Sequence, residues 1–318
     1  MALALGALWA WSVCDKAVIS YYSKKYKPIP LPEESNYSQQ DVSIIVPTID
    51  TESTFTECMR LWLESKPREI IIVTVERNRD RLVRLVEPLK EDADRIVIFC
   101  APLANKRIQL VVGVKAARGS ILTLVDDDVY WRAEGVLPYL LAPFEDAEVG
   151  AVAGIQSILQ DPSFVDAYTH EVIGRRVVNT ADDVVLTGWV FDRGWKVSIQ
   201  NVPEAEITTN IPQDHRFAWQ VLRWDRGNFR TFLGYIFVYP GYRRMMQRHP
   251  YTTFKMIERL ARPIWALAAF LEKYPYCGRQ VWAFLLMDIV GPIVDVYVYF
   301  TMNNDSWLTR TADIQELK

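Results

Sequence analysis

Cysteine is scarce in this chain of 318 residues. The four present, Cys14, Cys58, Cys100 and Cys277, stand too far apart to give a metal-ligand spacing. They read as reduced, mostly buried thiols of a cytosol-facing protein. A dominant charge is lacking too: the formal net charge is −3, so no global basic field recruits nucleic acid. Internal repeats and low-complexity tracts are missing. The N-terminus has neither the basic leader nor the small-residue cleavage site of a secretory signal peptide. Its apolar run, Met1 to Cys14, breaks at Asp15 and Lys16, short of the roughly 20 residues a spanning helix needs. That leaves an interfacial helix carried by Trp9 and Trp11, or the remnant of a transmembrane one. Lys24, Lys25 and Lys27 would keep the succeeding domain cytoplasmic by the positive-inside rule. Pro28, Pro30 and Pro32 then give a stiff linker.

What is present begins with apolar and aromatic residues. Half the chain is hydrophobic, and the eleven Trp and fifteen Tyr are many for this length. Several stand beside apolar runs, as interfacial anchors do. Strands are expected at 41–48, 69–75, 95–100, 121–125 and 149–155, and an edge strand at 196–202. Helical spacing at about 53–65, 79–89 and 106–118 alternates with the first four. That alternation predicts an α/β domain with a largely parallel sheet covered on both faces. The chain divides into an N-terminal helix and linker (1–40), an α/β unit (41–235) and a C-terminal part (236–318). In that last part Tyr242 to Arg262 mixes basic and aromatic residues like an amphipathic helix in an anionic membrane interface. Val281 to Met302 is long enough to span, though Asp288 and Asp295 sit inside it; a buried helix pair is the alternative.

The stretch that organises the α/β unit is Ile121 to Trp131, ILTLVDDDVYW. Asp126, Asp127 and Asp128 come after a buried strand with no basic residue between them. Like charges packed so closely repel, and a divalent cation relieves the repulsion. Mg²⁺ or Mn²⁺ usually takes one or two carboxylates plus substrate phosphates. The carboxyl end of a strand is also where open α/β sheets bind ligands. A solvated acidic turn ahead of a helix starting near Ala133 is the plainer reading. A second acidic pair, Asp182 and Asp183, stands at an expected helix start, where capping and the helix dipole alone would favour it. Gln220, Arg223 and Trp224 lie at i, i+3 and i+4 and share one helical face.

In order, SIIVPT, NKRIQL, VDDDVYW, ADDVVLTGW and QVLRW resemble the processive family-2 glycosyltransferases of the GT-A fold. That group includes cellulose, chitin and hyaluronan synthases, and the nearest likeness is to fungal synthases similar to type 3 capsule synthases. The resemblance covers about Asp41 to Arg230. It implies a Rossmann-like sheet and transfer of a sugar from a UDP-sugar to a growing glycan, with inversion, at a membrane. By the same likeness Asp126 and Asp128 hold the metal, and Asp183 takes the proton from the acceptor hydroxyl. Gln220, Arg223 and Trp224 close the acceptor site and contact the pyrophosphate, where Arg suits phosphate oxygens and Trp a sugar face. Lys106 approaches the nucleotide, Thr48 lies by the uracil, and Asp127 and Asp182 join the substrate contacts. Arg107 is either close by or a surface cation.

Three departures stand out. Glu76 occupies the place where the family carries a uracil-holding aspartate, the acid pair is A-D-D rather than T-E-D, and the interval from Asp128 to Asp183 is short. Rival readings are a membrane-associated transferase adding single sugars, a non-catalytic nucleotide- or glycan-binding paralogue, and a nucleotidyltransferase. The last leaves Q-x-x-R-W unexplained.

Overall fold

Isoleucine and valine dominate the strands at the centre of the sheet, where both faces are covered and most positions are apolar. The computed structural model describes residues 2–131, 135–153, 157–159, 172–173, 176–177, 182–209, 215–239 and 241–261. Strands β1 (Val42–Pro47), β2 (Glu69–Val75), β3 (Ile96–Ala101) and β4 (Ile121–Leu124) are parallel. Helices α2 (Phe55–Glu64), α3 (Arg79–Val86) and α4 (Lys106–Ala116) connect them, after an N-terminal α1 (Ala2–Lys25). Then come β5 (Val129–Trp131), α5 (Val136–Leu141), β6 (Val149–Ala153) and β7 (Ser157–Leu159). The short pair β8 (Val172–Ile173) and β9 (Arg176–Val177) precedes α6 (Asp182–Asp192), β10 (Lys196–Ile199) and β11 (Ile207–Thr209). Helices α7 (His215–Phe237), α8 (Tyr242–Arg248) and α9 (Pro250–Ala261) complete the order.

The main sheet has seven strands in the order β10-β6-β7-β4-β1-β2-β3. β7 runs antiparallel to both β4 and β6, and β10 is parallel to β6. Two reversals cancel, so β1, β2, β4, β6 and β10 all end on one edge. Side chains alternate between faces. Ile44, Val46, Ile70 and Ile72 pack on Phe55, Met59 and Trp62 of α2 and on Leu137 and Leu140 of α5. Ile45 and Leu122 meet Leu110, Val111 and Val114 of α4 and Val185, Leu186 and Val190 of α6.

The opposite edge is locked by a buried acid. Glu69 accepts from Ser43 Oγ (2.7 Å), Arg118 N (2.7 Å) and Arg118 Nε (2.8 Å). Ser43 Oγ in turn accepts Gly119 N–H at 2.8 Å. A Cβ at Gly119 would lie 2.5 Å from the Asp41 carbonyl oxygen, so only glycine fits this corner.

The apolar N-terminal run breaks at Asp15 as expected, but the helix that carries it does not end there. α1 continues to Lys25 because Asp15 accepts from Tyr251 Oη (2.6 Å) and Lys255 Nζ (2.9 Å), both on α9. Trp11 adds a hydrogen bond to Glu258 (3.0 Å) and packs its ring against Phe254. The single amphipathic helix expected over 242–262 is two helices, α8 and α9. They separate at His249 and Pro250, since proline lacks the N–H that would carry α8 onward. Among the described residues no helix is long and apolar enough to cross a membrane. The segment 281–302, and Cys277, lie outside the described residues. Of the described cysteines Cys58 is buried, Cys100 half-buried and Cys14 exposed, and all three are free thiols.

Candidate active site

The acidic triplet occupies the turn that carries the chain from β4 into β5. Val125 N–H still bonds to Ile45 O (3.0 Å), so the turn starts flush with the end of β1. β5 then leaves the main sheet to pair antiparallel with β11. Trp62 Nε1 holds it from α2 by donating to Val129 O at 3.1 Å.

Successive residues in so tight a turn point to different sides. Asp127 is 7% exposed and accepts from Thr48 Oγ1 at 2.5 Å. Thr48 Oγ1 also meets Thr51 Oγ1 at 2.8 Å. The backbone of Thr48 is fixed on both sides, its N–H by Val73 O and its C=O by Gln109 Nε2. Gln109 Nε2 also donates to Val73 O at 2.7 Å, which ties α4 to β1 and β2 together. The middle carboxylate is therefore committed to the scaffold. Asp126 is exposed and Asp128 half-buried. Lys106 Nζ stands 2.8 Å from Asp126 Oδ1. Beneath the turn, burial pushes the Cys58 thiol up to about 12; a hydrogen bond from Tyr130 opposes the shift, and the Asp128 and Asp127 charges add to it. Cys58 is thus a protonated, inert core thiol.

Lys106 and Arg107 open α4, where Asn105 Oδ1 caps the helix by accepting from Arg107 N (3.0 Å) and Ile108 N (3.2 Å). Arg107 is 2% exposed, which settles its two readings against a surface cation. At the end of β2, Glu76 begins a single helical turn and is exposed. It lies against Cys100, whose thiol is raised first by burial and then by this carboxylate. Two residues that sequence reasoning passed over share this edge. Asn78 Nδ2 donates to Asp50 Oδ1 at 3.3 Å, and Asp50 holds a left-handed backbone (φ 52°). Their signal was available: Asp and Asn directly after buried strands tolerate such turns.

Helix α6 starts at Asp182, and Asp183 is exposed in its first turn. Gly194, at φ +82°, lets the chain reverse tightly into β10. α6 therefore runs opposite to β10 and begins at the edge where β1 and β4 end, on the face that α4 covers. Thr48, Lys106, Asp126, Asp127 and Asp128 form one cluster, and Asp183 stands on its edge and face. Gln220, Arg223 and Trp224 lie on α7, whose main packing partners among the described elements are α6, α9 and β8. Gln220 and Arg223 are half-buried and Trp224 is exposed. Tyr235 Oη of α7 donates to Val185 O of α6 at 3.1 Å over Gly188, and this contact joins the two helices. Arg226 and Arg230, in the D-R-G-N-F-R stretch that follows QVLRW, are buried on α7.

A family model described as "Glycosyltransferase like family 2" matches residues 39–181. NDP-glycosyltransferase ltbB of Aspergillus luteorubrus is 59% identical over 408 aligned positions that cover all of both chains. The chain belongs to glycosyltransferase family 2. It is thus a glycosyltransferase using a nucleotide-sugar donor. A type 2 glycosyltransferase of Zymoseptoria tritici is 28% identical, with 94% of this chain and 75% of that one aligned. The alignment with the Aspergillus relative is longer than the 318 residues here, so that relative has segments without a counterpart in this enzyme. Among solved structures, the mannosyltransferase PcManGT of Pyrobaculum calidifontis, in complex with GDP-Man and Mn²⁺, superposes with a TM-score of 0.59. At 16% identity over 95% of this chain and 97% of that one, it shows a shared GT-A fold. The family match stops one residue before Asp182, so it covers the triplet and Lys106 but not α6 or α7.

The triplet fits a divalent cation. With Asp127 tied to Thr48, two carboxylates remain, Asp126 and Asp128. Among the described residues no group of three or more His, Cys, Asp and Glu could hold an ion. Two carboxylates completed by donor phosphates is the usual arrangement for Mg²⁺ or Mn²⁺.

Proposed function

We propose that this glycosyltransferase moves a sugar from a UDP-sugar to a glycan acceptor by one in-line displacement that inverts the anomeric centre. The observation that supports this is the meeting of Thr48, Lys106, Asp126 and Asp128 at one sheet edge, with Asp183 opening the adjacent helix on the same edge. Asp126 and Asp128 hold Mg²⁺ or Mn²⁺. When bound, the cation offsets the negative charge gathering on the departing nucleoside diphosphate. Lys106 adds a second positive charge there. Thr48, Glu76 and the Asp50–Asn78 pair border the nucleoside side. Asp183 takes the proton of the acceptor hydroxyl as that oxygen attacks, a role typically worth about 10²–10⁴ in rate. Arg223 pairs with phosphate oxygens, and the exposed Trp224 offers a face on which an acceptor sugar stacks.

A membrane seat, with the catalytic domain facing the cytoplasm, belongs to the same proposal. Val13, Val18, Ile19, Tyr21 and Tyr22 of α1 and Tyr251, Phe254 and Ile257 of α9 are exposed. Lys16, Lys24 and Lys25 stand beside the first group, a combination suited to anionic lipid headgroups. The growing chain is then a membrane-associated polysaccharide. The test is UDP release by the purified protein across a panel of UDP-sugars with Mg²⁺ or Mn²⁺, followed by sizing of the product. Release only from UDP-sugars, lost on chelation and accompanied by long products, is the expected result. Metal-independent release, or preference for a GDP-sugar, contradicts the reading.

A further inference from the structure

We propose that Lys106 is an internal counter-ion that occupies Asp126 until the nucleotide arrives, so that cation binding depends on the donor. This rests on the metal-assisted reading above and adds an order of events to it.

Three observations converge. The first turn of α4 carries Lys106 and Arg107 and no acidic residue. Positive side chains are disfavoured at a helix N-terminus, where the dipole is itself positive. Such a turn gains from facing negative charge, and Asp126 supplies it at 2.8 Å. Second, Asp127 is bound to Thr48 and cannot turn outward to replace Asp126 as a ligand. A cation arriving alone thus meets an Asp126 already paired with Lys106. Third, the Lys106 side chain is 21% exposed against 56% for Asp126, so the carboxylate has the greater freedom to turn away and the ammonium stays at the mouth of α4.

A nucleoside diphosphate changes this balance. Its phosphates give the ammonium and the start of α4 a new anionic partner, which releases Asp126 to the cation. Cation and nucleotide then favour one another, and linkage makes the effect equal in both directions. Lys106 is a positioning residue in this exchange, and its effect is visible without turnover.

The experiment measures Mn²⁺ binding by electron paramagnetic resonance or calorimetry, with and without UDP, on wild-type, Lys106→Met and Lys106→Arg proteins. Lys106→Met keeps the aliphatic stem and removes the charge. Its nucleotide-free affinity for Mn²⁺ should rise about fivefold to tenfold, the scale of a half-exposed ion pair facing a divalent ion. The gain in Mn²⁺ affinity brought by UDP should shrink by the same factor. Lys106→Arg keeps the charge and should behave as wild type, and native circular dichroism in both variants guards against misfolding. If wild type binds Mn²⁺ with UDP while Lys106→Met shows unchanged or weaker nucleotide-free affinity, the counter-ion role is overturned and the metal site stands. If wild type binds no Mn²⁺ even with UDP, the metal reading falls and this inference with it.

Discussion

Replacing Gly188 with alanine should loosen the joint between the helix that bears the proposed base and the helix that bears Trp224. A Cβ at this position would overlap Tyr235 Oη and Cζ and lie 3.0 Å from Tyr235 Cε1. Carbon contacts are favourable only near 3.5–4.0 Å, so the ring must move. It has little room, being 7% exposed and set edge-on against Tyr239 with centroids 5.3 Å apart. Displacing it breaks the hydrogen bond to Val185 O, worth about 0.5–1.5 kcal/mol, and adds overpacking of about 1–3 kcal/mol. Exchanging a helical glycine for alanine returns at most about 1 kcal/mol. The net expectation is a loss of about 1–3 kcal/mol, read from the midpoint of urea unfolding at constant slope. In a Tyr235→Leu background the ring is gone and the alanine should cost nothing further, so the double-mutant cycle isolates the contact. Transfer should fall in Gly188→Ala more than UDP binding does, because the joint holds α6 and α7 but not the triplet. A Gly188→Ala protein as stable as wild type would refute this account of the joint.

The buried acid at the far edge gives a pH-dependent expectation. Burial alone would raise the Glu69 carboxyl, but hydrogen bonds from Arg118 N, Ser43 and the Arg118 side chain outweigh it and hold it below its ordinary value. The unfolded chain then binds the proton more readily, so this stabilisation is full above about pH 4.3 and is lost as pH falls through the lower folded value. Glu69→Gln should cost about 1–3 kcal/mol at pH 7, and its deficit should close toward pH 3; a deficit that persists there contradicts the assignment. Native Cys58 should resist alkylation at pH 8 while Cys14 reacts, as tracked by mass spectrometry, and equal labelling would mean that Cys58 is accessible. Trp224→Ala should raise the KM for acceptor more than the Kd for UDP-sugar, and equal losses would remove the acceptor role.

The central sheet was legible because its strands are continuous apolar runs fenced by polar turns. β2 spans the expected 69–75, and β1, β3 and β4 lie within a residue or two of expectation. The edge strand and the start of α6 at Asp182 were readable from local pattern as well. Strands β5, β7 and β11 were not, since three residues carry no period to read. That the helix runs on past Asp15 was not legible, because Tyr251, which bonds to that carboxylate, is 236 residues away, beyond any local window. Pro250 did mark the break between α8 and α9, and the amphipathic pattern running across it concealed the signal. Within the site, the triplet, Lys106 and Thr48 could be named from sequence. Which aspartate faces inward could not, because three identical residues differ only in the turn that orients them. Arg107 beside Lys106 posed the same problem, decided by helix phase rather than residue type.

The most direct test of the whole account is Asp183→Asn, assayed in parallel for UDP-sugar binding with Mn²⁺ and for transfer to acceptor. The substitution keeps the shape and removes only the proton acceptor, so donor Kd should stay within about twofold while transfer falls by about 10²–10⁴. Transfer at the wild-type rate would place the base elsewhere and separate α6 from the chemistry at the Asp126–Asp128 edge.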